Sequence, residues 1–302
     1  MRAFLLFLSR QESFKNFMLR FSMFRNTAWR FVAGEKVEDA IRAARELQQQ
    51  GIQATMDLLG ENTRSEEDAL HTTDEILGLL DRTHAENVGC NVSVKLTQLG
   101  LDLGTELCFQ NLARIVRHAA AFGGFIRVDM EDSSYTDRTL DIVLRVHHET
   151  PNTGTVIQAC LYRSEKDVQN LIDHRVGIRL CKGAYLEPAT VAFKKKGDTD
   201  ANYLALTKRM LQSGLYHGIA THDEAMIAAT KQFAREKDIP KDSFEFQMLF
   251  GIRRDLQQQL VKEGYRVRVY IPYGTRWYPY FMRRLAERPA NVFFILRNLV
   301  KK

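Results

Sequence analysis

Two short segments of the chain gather residue types suited to holding anions and small charged molecules. Arg179-Leu180-Cys181-Lys182-Gly183-Ala184-Tyr185 carries two cations and a glycine. The glycine permits close backbone approach, and the cations can neutralise phosphate. The second segment, Tyr280-Phe281-Met282-Arg283-Arg284-Leu285-Ala286-Glu287, sets two guanidiniums side by side. Neighbours on a helix point about 100° apart, so both arginines face one opening only where it lies over that helix edge. In that position they can clamp a carboxylate through forked hydrogen bonds. The plainer alternative is a solvated pair, with Glu287 one turn further on as the ion partner of Arg283 or Arg284.

Elements of regular spacing must bring these segments together. Strand-like apolar runs recur at Ile52–Asp57, Asn91–Lys95, Phe125–Met130, Val156–Cys160, Gly177–Lys182, His217–His222, Phe244–Leu249 and Val267–Ile271. Helical patterns fill the gaps: Ser65–Ala85, Thr105–Ala121, Thr136–His148, Glu165–Asp173, Asp200–Gln212, Asp223–Glu236 and Arg253–Glu263. Tyr278–Glu287 and Asn291–Val300 follow the last strand. Ser65 with Asp68 three positions on reads as a helix start, and Ile76, Leu79 and Leu80 share one face. Strand–helix alternation implies a parallel sheet, because each parallel crossover needs a helix. Repeated through the whole chain, it predicts an α/β fold of the (β/α)8 TIM-like barrel type with extra N-terminal helices. The alternative is an open doubly wound sheet, against which stands the lack of a GxGxxG turn after an early strand.

Barrels of this type place their chemistry at the carboxyl ends of the strands. Those positions read Asp57 with Glu61 beyond it, Lys95, Asp129, Gln158, Arg179 with Lys182, Thr221 with His222, Gln247 and Tyr270. Charges are costly to bury unless paired or used, so a ring of them at one end implies a polar site.

The 302 residues suit one such barrel, and we expect residues 1–302 to form a single domain, with 1–50 as a helical arm and 51–302 as the barrel. The 45% hydrophobic content fills a large core, and the net charge of +6 is a modest basic excess. The four cysteines form no CxxC pair, which argues against a disulfide framework and a zinc site. No run approaches the ~20 apolar residues of a membrane span. The apolar start Met1–Leu8 is broken by Arg10, and Phe14, Phe17, Met18, Phe21 and Phe24 continue at helical spacing. That reads as an amphipathic helix rather than a signal peptide, with membrane-surface contact as a minor option. The expected location is cytoplasmic. A nucleic-acid-binding protein that exploits the +6 charge, together with the lysine triplet Lys194-Lys195-Lys196, is the rival from another class, and such runs are usually just solvated.

In order and position these motifs resemble the proline dehydrogenase family, in its bacterial monofunctional form. The likeness covers Asp57-Leu58-Leu59-Gly60-Glu61, Ser93-Val94-Lys95, Val128-Asp129-Met130-Glu131, Gln158 and Arg179 to Tyr185. It continues through Ala220-Thr221-His222, Glu245-Phe246-Gln247-Met248-Leu249, Tyr270-Ile271-Pro272-Tyr273-Gly274-Thr275 and Arg283-Arg284. Cys181, where an aliphatic β-branched residue is expected, and Arg276, in a variable loop position, depart from the pattern.

The resemblance implies oxidation of L-proline to Δ1-pyrroline-5-carboxylate on non-covalent FAD, with the electrons passed to a membrane quinone and no nucleic-acid partner. It implies peripheral contact with the inner face of the membrane as an option. Arg283 and Arg284 would hold the substrate carboxylate, with Lys95 as a third cation. Tyr185, Leu249, Tyr270 and Tyr280 would wall the pocket, and Glu61 would pair with Arg283 as a gate. Asp129 would lie beside the substrate amine and Arg179 near the reacting edge of the flavin. Met130, Gln158, Lys182, Gly183, Ala184, Thr221 and His222 would contact FAD. The resemblance implies no metal. A barrel flavoenzyme acting on a folate or an N-methylated amino acid is the nearest rival.

Overall fold

Eight parallel strands close on themselves in sequence order, each hydrogen-bonded to the next and the last to the first. The computed structural model describes residues 28–287. The strands are β1 (Gln53–Leu58), β2 (Cys90–Val94), β3 (Ile126–Val128), β4 (Thr153–Gln158), β5 (Gly177–Cys181), β6 (His217–Ala220), β7 (Phe244–Leu249) and β8 (Arg266–Tyr273). Helix α1 (Val37–Gln48) precedes the barrel. The crossovers are α2 (Glu66–Ala85), α3 (Thr105–Ala120), α4 (Thr136–Glu149), α5 (Ser164–Asp173), α6 (Lys196–Gln212), α7 (Glu224–Glu236) and α8 (Arg254–Lys262). Helix α9 (Trp277–Glu287) follows β8. The expected barrel is therefore the observed one.

Local chemistry sets the helix ends. The Ser65 hydroxyl accepts from the Asp68 amide at 3.1 Å and so starts α2, as the sequence spacing predicts. Asp223 does the same for α7 through the Ala225 amide, also at 3.1 Å. The apolar faces of the helices and the strand side chains between them make one continuous core, including Ile76, Leu79 and Leu80 of α2.

Some features differ from expectation for physical reasons. β4 begins at Thr153, three residues early, because the polar Thr153-Gly154-Thr155 hides a buried strand. The two hydroxyls donate to the carbonyls of Ile126 (3.1 Å) and Val128 (3.0 Å), which removes the cost of burying them. α6 opens at Lys196, so the last lysine of the triplet is helical rather than in a loop. A 3-10 turn, Leu96–Leu99, follows β2 and is wholly buried. The arm is not helical throughout: residues 29–36 are turns and extended chain ahead of α1. This segment docks on the end of β8, with Ala33 N–H donating to the Pro272 carbonyl (2.9 Å) and Gly274 N–H to that of Gly34 (3.0 Å). Trp277 at the start of α9 donates to Glu35 at 3.0 Å. The amphipathic pattern of residues 1–27, the expected helix Asn291–Val300 and the Glu287 ion pair lie outside the described residues and side chains.

None of the four cysteines is in a disulfide, and Cys108 lies in the core. No helix among the described residues is long and apolar enough to cross a membrane.

Candidate active site

Asp129 is the meeting point of the barrel mouth. It follows β3, and its amide donates to the Val94 carbonyl of β2 at 2.8 Å, which continues the ladder one residue past the strand. One carboxylate oxygen accepts from Arg179 at 2.8 Å. The other accepts from the Tyr270 hydroxyl at 2.7 Å and lies 3.7 Å from the Lys95 ammonium. A carboxylate with so many donors is held in one orientation.

Arg179 in turn is fixed from several sides. Its Nε donates to Gln247 Oε1 at 2.5 Å, and both terminal nitrogens reach Ser93 Oγ at 3.3 Å. Its guanidinium lies 5.2 Å from the Tyr270 ring centroid, a cation–π contact. Below it, Gln247 donates to Glu245, and Glu245 accepts from Arg268 at 2.7 Å, so a polar chain runs down the barrel interior. Burial pushes the Tyr270 phenol well above its ordinary pKa, and the adjacent Asp129 adds to the effect.

Lys95 faces two protein carboxylates at the mouth. Its ammonium is bound to both oxygens of fully buried Asp57, at 3.1 and 3.2 Å, as well as facing Asp129. Burial disfavours the ammonium, but Asp57 and then Asp129 overcome this and raise its pKa. Its charge is thus largely met by protein carboxylates, and Asp57 is the partner that the sequence listing placed in the ring without a task.

Across the mouth, Arg283 of α9 makes two bonds to Glu61 in the loop after β1, at 2.6 and 3.1 Å. Burial lowers the Arg283 pKa, but Glu61 outweighs it and the net shift is upward. Arg284 lies with its guanidinium 5.3 Å from the centroid of the Tyr280 ring, which is buried. Tyr185 is half-buried; burial and then the Glu61 carboxylate push its phenol upward. Glu61, Lys95 and Arg283 all act on it, which places Tyr185 in this same cluster. Leu249 closes β7, where its amide donates to His222 Nε2 at 3.0 Å.

A second group gathers at the ends of β4, β5 and β6. The Gln158 amide donates to the Glu131 carbonyl at 2.8 Å. Lys182 is clasped by Asp200 (2.5 Å) and Asp223 (2.8 Å), neither of which the sequence had marked. Lys196 of the lysine triplet is bound to the same two carboxylates, so part of that basic run is neutralised. Gly183 has φ of 108°, and a Cβ there would collide with the Cys160 sulfur. Exposed Ala184 follows it. Thr221 is buried with its hydroxyl accepting from the Asp223 amide at 3.0 Å, and Met130 is buried beside Asp129. The Leu249 amide fixes His222 Nε2 as an acceptor, which leaves the ring proton on Nδ1 of the neutral tautomer.

Glu131 and Thr97 were missed as partners. Glu131 was only part of a motif, and Thr97 carries no signal beyond being polar in an apolar stretch. Glu131 accepts from the Thr97 amide (3.1 Å) and hydroxyl (2.7 Å), and burial pushes its carboxyl up to about 7 against those bonds.

A protein-family model described as proline dehydrogenase matches residues 40–297. Proline dehydrogenase 1 of Bacillus subtilis (strain 168) is 43% identical over 302 residues, covering 100% of both chains. Proline dehydrogenase of Deinococcus radiodurans is 47% identical over 281 residues, 91% of each. Among solved structures, proline utilization A (PutA) from Bdellovibrio bacteriovorus inactivated by N-propargylglycine superposes with a TM-score of 0.82 at 27% identity, covering 87% of this chain and 32% of that one. The family model and the full-length relatives, together with a barrel whose polar ring lies where the family motifs fall, show that this chain belongs to the proline dehydrogenase family and is an enzyme of proline oxidation.

Proposed function

We propose that the chain oxidises L-proline to Δ1-pyrroline-5-carboxylate with non-covalent FAD, and that a membrane quinone takes the electrons onward. The observation that carries the reading is the Asp129 cluster, in which one carboxylate joins Arg179, Tyr270 and Lys95 beneath the Glu61–Arg283 pair. Such an arrangement suits a small zwitterion, with charged anchors at its two ends and aromatic walls between.

In this reading Arg283 and Arg284 bind the carboxylate, and Lys95 contributes positive field from behind rather than a direct bond. Tyr185, Leu249, Tyr270 and Tyr280 enclose the ring. Asp129 is the acceptor for the substrate amine N–H. The amine has to lose a proton before its lone pair can form the C=N bond as a hydride leaves the neighbouring ring carbon.

The residues at the ends of β4 to β6 fit FAD. Gly183 bares backbone at a positive φ, and Gln158, Lys182, Thr221 and His222 supply an amide, a cation, a hydroxyl and an imidazole at or just past the ends of adjacent strands. With Met130 and Ala184 they would hold the cofactor, and Arg179 would favour negative charge at its reacting edge. When bound, FAD supplies the two-electron acceptor for the hydride. Glu61 with Arg283 closes the mouth and excludes water. We place the enzyme in the cytoplasm, at the inner face of the membrane during electron delivery, as one barrel unit.

Anaerobic addition of L-proline to the purified protein loaded with FAD tests this directly. Bleaching of a flavin that is released as FAD on denaturation is expected. Bleaching by folates or N-methylated amino acids but not by proline would overturn the substrate assignment.

A further inference from the structure

Glu61 can meet Arg283 only if the loop after β1 holds its shape, and that loop has few anchors of its own. It runs from Leu59 to Ser65 with Asn62 in the left-handed region, at φ of 51°. At its start the Leu59 amide donates to the Tyr273 carbonyl of β8 at 2.8 Å, and beyond that its fixed points lie on the neighbouring βα turn. Thr63 donates to the Thr97 carbonyl from both its amide (3.1 Å) and its hydroxyl (3.0 Å). The Asn62 amide donates to the Thr97 hydroxyl at 3.3 Å. Gln98 donates to the Leu58 carbonyl at 2.8 Å, at the root of the same loop.

Thr97 is itself held from the loop after β3. Its amide and its hydroxyl both engage the Glu131 carboxylate, at 3.1 and 2.7 Å, and both residues are buried. The Glu131 carbonyl is bound by Gln158 of β4 at 2.8 Å. A hydroxyl that gives its proton to a carboxylate presents its lone pairs elsewhere, here to the Asn62 N–H. The chain of bonds therefore runs β4, Glu131, Thr97, Asn62 and Thr63, and ends one residue from Glu61.

We propose that Glu131 and Thr97 are positioning residues that hold the Asn62–Thr63 turn, and thereby keep Glu61 in register with Arg283 over the substrate pocket. The functional half of this inference rests on the reading of Glu61 and Arg283 as the closing pair. The anchoring half does not. Neither residue needs to touch substrate or cofactor to act in this way.

Four variants separate position from bulk. Thr97→Ser keeps the hydroxyl, and Glu131→Gln keeps an acceptor for the Thr97 amide and a polar partner for its hydroxyl. Thr97→Val and Glu131→Ala remove the bonds. Hydrogen exchange of the Asn62 and Thr63 amides in the FAD-loaded enzyme, with steady-state kinetics on L-proline, is the experiment. Thr97→Val and Glu131→Ala are expected to exchange at least about tenfold faster at Asn62, the consequence of one lost buried hydrogen bond. KM for proline should rise about tenfold in the same two variants with a smaller change in kcat, while Thr97→Ser and Glu131→Gln stay near wild type. Wild-type exchange in both disruptive variants would overturn the proposal. Equal damage in all four would also overturn it, since that would report general packing at these positions. Faster exchange with unchanged KM, alongside wild-type KM in Glu61→Gln, would leave the anchor standing and remove the closing-pair reading instead. Should either disruptive variant fail to fold, the other carries the same two readouts.

Discussion

Arg283 and Glu61 face each other across the barrel mouth through two bonds of 2.6 and 3.1 Å, although 222 positions separate them in the chain. The pair joins the loop after the first strand to the helix after the last, so it spans the seam where the barrel closes. Both side chains keep some solvent contact, 24% for Arg283 and 32% for Glu61, which suits a pair that opens to admit a substrate. If Arg283 exchanges this partner for a substrate carboxylate, removing Glu61 changes how well the guanidinium is held before binding. Glu61→Ala is expected to raise KM for proline, with a smaller fall in kcat from poorer exclusion of water. Unchanged steady-state constants would mark the pair as a surface ion bridge only.

Replacing either arginine tests the anchor for the carboxylate. Arg283→Met and Arg284→Met keep the apolar stem and lose the fork. A charge-assisted hydrogen bond contributes roughly 1.5–3 kcal/mol, so kcat/KM for proline should drop at least about tenfold in each. Flavin content and Tm should hardly move. Loss of FAD in place of proline affinity would put these residues over the other ligand.

The hydroxyl of Tyr270 donates to Asp129 at 2.7 Å, on the oxygen that also faces Lys95. Tyr270→Phe leaves the ring and removes that donor, so Asp129 becomes less well oriented. We expect kcat/KM to fall about tenfold, the size of one hydrogen bond to a charged group. In the wild-type enzyme the buried ring should also disfavour 4-hydroxyproline relative to proline, and Tyr270→Ser should narrow the gap. Equal kcat/KM for the two substrates in the wild type would refute that role.

Glu131 makes stability depend on pH. Burial raises its carboxyl from an ordinary 4.5 to about 7 in the folded chain. The folded state thus holds a proton that the unfolded chain releases earlier, and the stabilisation from this group is complete below pH 4.5 and lost as pH rises through about 7. The full shift corresponds to about 3 kcal/mol. Glu131→Gln, which stays neutral, should show a flatter dependence of unfolding free energy between pH 5 and 8. Parallel urea titrations at those two pH values are enough, and identical slopes in wild type and variant would exclude the effect.

Much of the frame was legible in the residues before any coordinates. Alternation of short apolar runs with amphipathic stretches is a local, one-dimensional signal, and it located every strand and every crossover helix. β7 falls on the expected Phe244–Leu249, and Ser65 starts its helix through the bond to Asp68 that the spacing predicts. Motif order placed Asp129, Arg179, Tyr270 and the two arginines at one end of the barrel. The signal failed where polar residues are buried: Thr153 and Thr155 look like loop residues until the neighbouring strand supplies carbonyl acceptors.

What only the tertiary structure decided is which charge neutralises which. Lys95 is paired with Asp57 and Lys182 with Asp200 and Asp223, partners that no local pattern in the sequence names. Arg179 finds Asp129 50 positions away, Gln247 68 away and Ser93 86 away. No periodicity encodes such pairings. They depend on how the strands are staggered once the sheet closes, and at an interior of low dielectric that stagger determines which charges are within reach of one another.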